Sequence, residues 1–190
     1  MRKLLTAGVL TLVIAATAAN LNTNRTPLKQ AEEERDSVVI VGDTLRVDSI
    51  TLSLQKIPKA QDLYSVAKIT VGKWAKLFTV IKIEESGADG KNSFYALKYN
   101  NLTGMRWPGK GRQTTAVAKG HNSYAIFNHW HDCMLDFKFY IDIMEKKYVT
   151  KYGKQPETEL EMINFMLGSY NPYGVWKRDL VWLLNHFHYK

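Results

Sequence analysis

The run VGKWAKLFTVIKIEE, Val71 to Glu85, constrains the fold more than any other stretch of this chain. Apolar residues recur at Val71, Trp74, Ala75, Phe78 and Ile81, the i, i+3, i+4, i+7 spacing of a helix face that has to be covered. The chain supplies the cover downstream. NHWHDCMLDFKFYIDIMEKKY repeats the pattern at Trp130, Cys133, Met134, Phe137, Ile141, Met144 and Tyr148, with Asn128 placed to cap the helix start. PETELEMINFMLG opens on Pro156 and closes on Gly168, the residue types expected at the start and stop of a helix. NPYGVWKRDLVWLLNHF reads as a last helix with Asn171 and Pro172 at its start.

Between the first two strong helices lies a Gly-, Asn- and Thr-rich segment, Gly87 to Ser123. It has room for a small hairpin in which MRW and QTTAVA face each other across the turn PGKGR. Upstream, Val38 to Gln55 is β-branched and partly alternating, which allows one or two short strands. The expected fold class is mainly α within α+β: a helical domain over 58–190 with a loop and β-hairpin insert, preceded by a linker or short strands over 20–57.

The first helix ends in two acids, and their placement differs. At about 100° per residue, Val71, Trp74, Phe78 and Ile81 share an arc of roughly 80°. Glu85 follows Ile81 by four and Phe78 by seven, so it points into that arc. Glu84 lies about 100° away, toward solvent. An ionised carboxyl on an apolar face costs several kcal/mol, so its pKa rises and a proton stays available near neutral pH. That is what a general acid requires. Lys82, flanking the same face, would oppose the shift if it came close. The other reading of Glu85 is a helix-end acid that simply reaches water where the core opens.

The N-terminus narrows the function classes. MRKLLTAGVLTLVIAATAAN has a basic start, an apolar run from Leu4 to Ala19 and small residues ending in Ala16-Thr17-Ala18, the layout of a signal peptide over 1–19 with an A-x-A cleavage site. The run is short for a membrane span of roughly 20 residues, and an uncleaved anchor helix is the alternative. No Cys follows it, which excludes a lipid-anchored form. The formal net charge of +8 becomes +6 once Arg2 and Lys3 are removed. A basic exported protein is expected in the periplasm, cell envelope or medium, with an anionic envelope polymer and not nucleic acid as its partner. The one cysteine, Cys133, forms no intrachain disulfide and falls on the apolar side of its helix, where packing is the expected role.

Glu85-Ser86-Gly87, then Gly90 and Ser93, then Asn100-Asn101-Leu102 with Gly104, stand in a recognisable order. HNSYAIFNHWHDCMLDFKFY and GSYNPYGVW follow. This order resembles the glucosaminidase family of peptidoglycan hydrolases, over about residues 60–187. The resemblance implies a lysozyme-like fold and cleavage of β-1,4 bonds between N-acetylated amino sugars, of endo-β-N-acetylglucosaminidase or muramidase type. It makes Glu85 the acid that protonates the glycosidic oxygen. It makes the loop of Asn100, Asn101 and Gly104 a wall of the sugar groove, although asparagines also serve simply to form turns. Tyr124 and Tyr170 line the groove or sit in the core with satisfied hydroxyls. Trp107, in a polar insert with little core to join, is expected to stack on a sugar face.

The sequence departs from the family's pattern in one respect. Family members carry a second acid in the hairpin, and GRQTTAVAKGHNSY has none. Between Ser86 and Met144 the only acids are Asp89, Asp132, Asp136 and Asp142. Asp89 is close enough in sequence to assist Glu85, while Asp132 and Asp136 read as surface charge on a helix. Three routes stay open: the substrate's N-acetyl group as internal nucleophile, Glu85 alone as acid and then base, or a catalytically inactive wall-binding or assembly module. Hydrolysis and anhydro-forming cleavage are both compatible with the residues.

HWHD carries His129 and His131 two apart, and His186 and His188 repeat that spacing. Residues i and i+2 point about 200° apart on a helix and share one ion poorly. No metal and no cofactor is expected. The expected partner is the peptidoglycan glycan strand, met by a monomer that touches membrane only if its N-terminal helix is uncleaved.

Overall fold

The computed structural model describes residues 38–47, 50–87, 91–186 and 188. The signal-peptide and linker readings over 1–36, and Asp89 with Gly90, lie outside the described residues.

Three short antiparallel strands come first, in the order β1 (Val38–Val41), β2 (Thr44–Val47) and β3 (Ile50–Ser53). Alternation does its usual work in β2, where Leu45 and Val47 are buried and Thr44 and Arg46 are exposed. The sheet shares its core with the helices: Leu45, Val47 and Leu54 join the same buried cluster, and Trp130 Nε1 donates to Ser53 O at 3.1 Å.

The helical body follows as α1 (Ala60–Thr70), α2 (Ala75–Ser86), α3 (Phe94–Tyr99), α4 (Trp130–Tyr152), α5 (Glu159–Met166) and α6 (Gly174–His186). The helix expected from Val71 does not start there. Val71 closes α1, a 3-10 turn occupies Gly72–Trp74, and α2 begins at Ala75. The turn breaks the phase that the single-arc wheel assumes. Helix α2 is covered all round, with Leu77 through Lys82 buried in succession by α1, α3 and α6. Phe78 meets Phe137 of α4 edge-to-face at 5.3 Å between ring centres.

Asn128 does not cap α4. His129 is the N-cap, and its backbone N–H donates to Asp132 at 3.1 Å in a capping box. Asp132 is therefore a cap partner. Asp136, read above as surface charge, is fully buried and salt-bridged to Arg112 at 2.8 Å. Thr158 and Glu161 form a second capping box at the start of α5.

The insert is built differently from the expected hairpin. The paired strands are β4 (Ala118–Lys119) and β5 (Ala125–Ile126), joined through His121–Ser123. MRW pairs with β5 and its approach, not with QTTAVA: Arg106 bridges Tyr124, and Ala125 N donates to Met105 O at 2.9 Å. The fold is mixed α and β, mainly helical, with a small antiparallel sheet.

Candidate active site

Each residue of the Glu-Ser-Gly and Asn-Asn-Leu-x-Gly stretches has a local task, and together they bring one carboxyl to a cleft. Ser86, buried at the end of α2, donates its hydroxyl to Leu102 O at 2.5 Å. Gly87 has φ +88, and a Cβ there would stand 1.9 Å from Lys91 O. Ser93 N returns to Ser86 O at 2.7 Å, and the Ser93 side chain caps α3. The described flanks of this loop, 86–87 and 91–93, are thus tied to each other before the twin asparagines arrive.

Asn100 ends α3 in the left-handed region, φ 51, and its amide donates to Phe127 O and Asn128 O at 3.1 and 2.8 Å. Asn101 is buried. Its amide donates to Met105 O and Ala125 O, and its Oδ1 accepts from Met105 N at 2.9 Å. These two residues were expected to bind substrate. Asn101 holds the 100–105 loop against β5 with both its polar atoms on backbone, while the Asn100 amide nitrogen ties the end of α3 to the segment after β5. These backbone bonds are of the kind the turn-forming reading expects.

Gly104 is the residue of that loop that meets the acid. At φ +69, a Cβ on it would lie 2.9 Å from Glu85 Oε2 and 3.3 Å from Cδ. Glycine is required here twice over, by backbone and by space. Glu85 is half-buried on the other side of this contact. Burial raises its pKa above the ordinary 4.5, and Glu84 adds to the rise. Asn171 and Trp176 draw it down through their side chains, and Arg106 does so by charge. Trp176 Nε1 is buried without a hydrogen bond of normal geometry. Glu84, expected near solvent, is half-buried too, and its pKa is raised by burial and by Asp179 against the pull of Arg178. Lys82 turns to Gly87 O, donating at 2.9 Å.

The acids face a cavity of about 320 Å³ shared with Asn171, Tyr173, Val175 and Trp176. A larger cavity of about 390 Å³ opens on the other side of Gly104 and Tyr170, with Trp107 in its lining. Tyr170 stands at the divide. Its hydroxyl donates to Thr103 O, its ring stacks on Trp176 with centres 5.5 Å apart, and burial with the Glu85 charge pushes its pKa well up. It is a positioned wall residue that stays protonated. Tyr124 lies outside both cavities, stacked between Tyr95 at 4.0 Å and the Arg106 guanidinium at 3.9 Å.

So the expected set divides. Glu85 lines the smaller cavity and Gly104, Trp107 and Tyr170 line the larger, while Asn100, Asn101 and Tyr124 line neither. Asn171, Trp176 and Glu84 belong to the site without having been singled out. The GSYNPYGVW stretch held the signal for the first two, since an Asn and a Trp bracket its turn.

Cys133 is buried with Leu102 N donating to its sulfur at 3.3 Å, and burial pushes the thiol up to about 11. That makes it packing, not a nucleophile. Among the described residues no three His, Cys, Asp or Glu side chains converge as a metal site would need. His131 is buried beside Thr70, facing away from the His129 cap. Comparison with protein-family models, with curated proteins and with solved structures finds no match.

Proposed function

We propose that the protein is a lysozyme-like glycosidase that cleaves β-1,4 bonds between N-acetylated amino sugars of peptidoglycan, with Glu85 as the proton donor. The observation that carries the reading is the half-buried Glu85 carboxyl, which lines one cavity, is raised in pKa and presses against Gly104, a lining residue of the other. A carboxyl that keeps its proton can pass it to the glycosidic oxygen as the C1–O bond breaks. Positive charge then grows at C1, and a neighbouring acceptor has to stabilise it. Glu84 is the second carboxyl of the cavity. Its own raised pKa makes it a poor standing anion. Either the substrate's N-acetyl oxygen closes on C1 to an oxazolinium that water then opens, or water adds to C1 directly; in both routes that water adds its hydroxyl to the sugar and returns its proton to the Glu85 carboxylate. The basic charge of the chain supports an anionic wall polymer as the partner.

The test is Glu85→Gln, which preserves shape and removes the transferable proton. Release of soluble fragments from purified sacculi should fall by about 10²–10⁴-fold with the circular dichroism spectrum unchanged. Full activity in the variant refutes the assignment of Glu85. A wild-type protein that sediments with sacculi and releases nothing is a wall-binding module instead.

A further inference from the structure

The two cavities differ in charge. The one beyond Gly104 is lined by Arg106, Trp107, Arg112, Tyr140, Lys147 and Tyr170 among others, and by no carboxylate. Arg112 is spent on buried Asp136. Arg106 packs against the Tyr124 ring at 3.9 Å and donates to the Asn122 carbonyl; its charge reaches Glu85, but it forms no salt bridge among the described residues. Lys147 is exposed and forms no ion pair or hydrogen bond among the described residues. Two cations outside any salt bridge among the described residues therefore line this cavity together with Trp107, Tyr140, Ile143 and Met144. On the opposite side of Gly104 the cavity carries Glu84 and Glu85 and no cation.

From this asymmetry we infer that the cleft beyond Gly104 is a carboxylate-reading subsite. It takes an amino sugar that bears an acid, stacking the sugar on the aromatic lining while Arg106 and Lys147 meet the carboxylate. The inference rests on the glycosidase reading and deepens it by fixing which sugar of an alternating polymer lies on this side of Glu85. The aromatic lining favours the apolar face of a pyranose. Cations in the same lining distinguish an acid-bearing sugar from a neutral one. A neutral oligosaccharide binds this cleft by stacking alone, so it is indifferent to the charges. The same acid chemistry reaches the cleft either from a lactyl ether on the sugar or from a peptide stem attached to it.

Binding by Glu85→Gln protein tests this without turnover. Three probes are titrated by calorimetry: neutral chitotetraose, a peptide-free wall tetrasaccharide carrying lactyl carboxylates, and its peptide-substituted form. Adding Arg106→Gln and Lys147→Gln should weaken both acidic probes on the order of tenfold and leave chitotetraose within about twofold. A loss confined to the peptide-free probe places the recognised carboxylate on the lactyl group, which is an amide in the substituted form; a loss confined to the peptide-substituted probe places it on the stem, and a loss in both shows that the cleft takes either acid. Each supports the subsite. Equal losses for all three probes, or none for any, overturn it. The glycosidase reading fails separately, if wild-type protein binds the acidic probes through these cations yet cuts no glycan.

Discussion

A carboxyl that has to stay protonated needs both a dry flank and a route to solvent, and at Glu85 one glycine supplies the flank. Because the pKa is raised, the neutral form is favoured in the folded chain. The stabilisation is fully present below the ordinary 4.5 and is lost as pH rises through the raised value. Glutamine is neutral at every pH. Glu85→Gln should therefore melt higher than wild type at about pH 8, with the two converging by about pH 4, as followed by thermal denaturation. Wall-lytic activity should fall on the alkaline side of the same titration. Gly104→Ala probes the flank, with Gly109→Ala as its control. Both residues sit at positive φ, +69 and +68, but only Gly104 has anything within 4 Å of the added methyl. Each substitution should cost about 1–2 kcal/mol in urea unfolding, and only Gly104→Ala should displace the pH profile of lysis. Of this site the sequence made Glu85 legible, through its position at the end of an apolar run. It could not show that Asn101 would be buried, because a turn-forming and a sugar-facing asparagine look alike until the neighbouring carbonyls are known.

At the scale of elements, what could be read was what repeats. The later helices announce themselves by period and by caps, so α4, α5 and α6 fall close to their expected spans. Helix α3 has six residues, too few to carry a period. The hairpin register was missed because PGKGR has better turn chemistry than GHNSY, where Asn122 and Ser123 take positive φ without being glycine. What decides the register is tertiary. Asn101 draws Met105 and Ala125 together, and buried Asp136 claims the intervening 112–115 segment. Its carboxylate receives Arg112, the Thr114 hydroxyl and Thr115 N. Asp136→Ala strips this anchor and leaves a guanidinium that is only 15% exposed without its charge partner. The loss should be about 3–5 kcal/mol in chemical denaturation, with faster protease cleavage within 109–117. A change under about 1 kcal/mol would mean that Asp136 is the surface charge its helix position implied.

For the whole molecule, the proposed function asks how a basic protein would find a wall polymer and then read it. The charge of +8 acts through solvent and is screened by salt over about 10 Å at 0.1 M and about 3 Å at 1 M. On the proposed reading, sugar stacking on Trp107 and Tyr140 and proton transfer from Glu85 take place at contact, where salt screens little. The two contributions separate with ionic strength. Sedimentation with intact sacculi should weaken severalfold between about 0.1 and 0.5 M NaCl, while turnover of a short neutral oligosaccharide changes little. Substituting exposed lysines that line neither cavity, such as Lys56 and Lys68, by glutamine should reduce sacculus capture and its salt slope together. Oligosaccharide cleavage should stay at the wild-type rate in that variant. If these substitutions instead slow cleavage of the neutral oligosaccharide, charge is acting on the reaction itself. Capture and catalysis would then not be the separable properties that this division between surface and cleft requires.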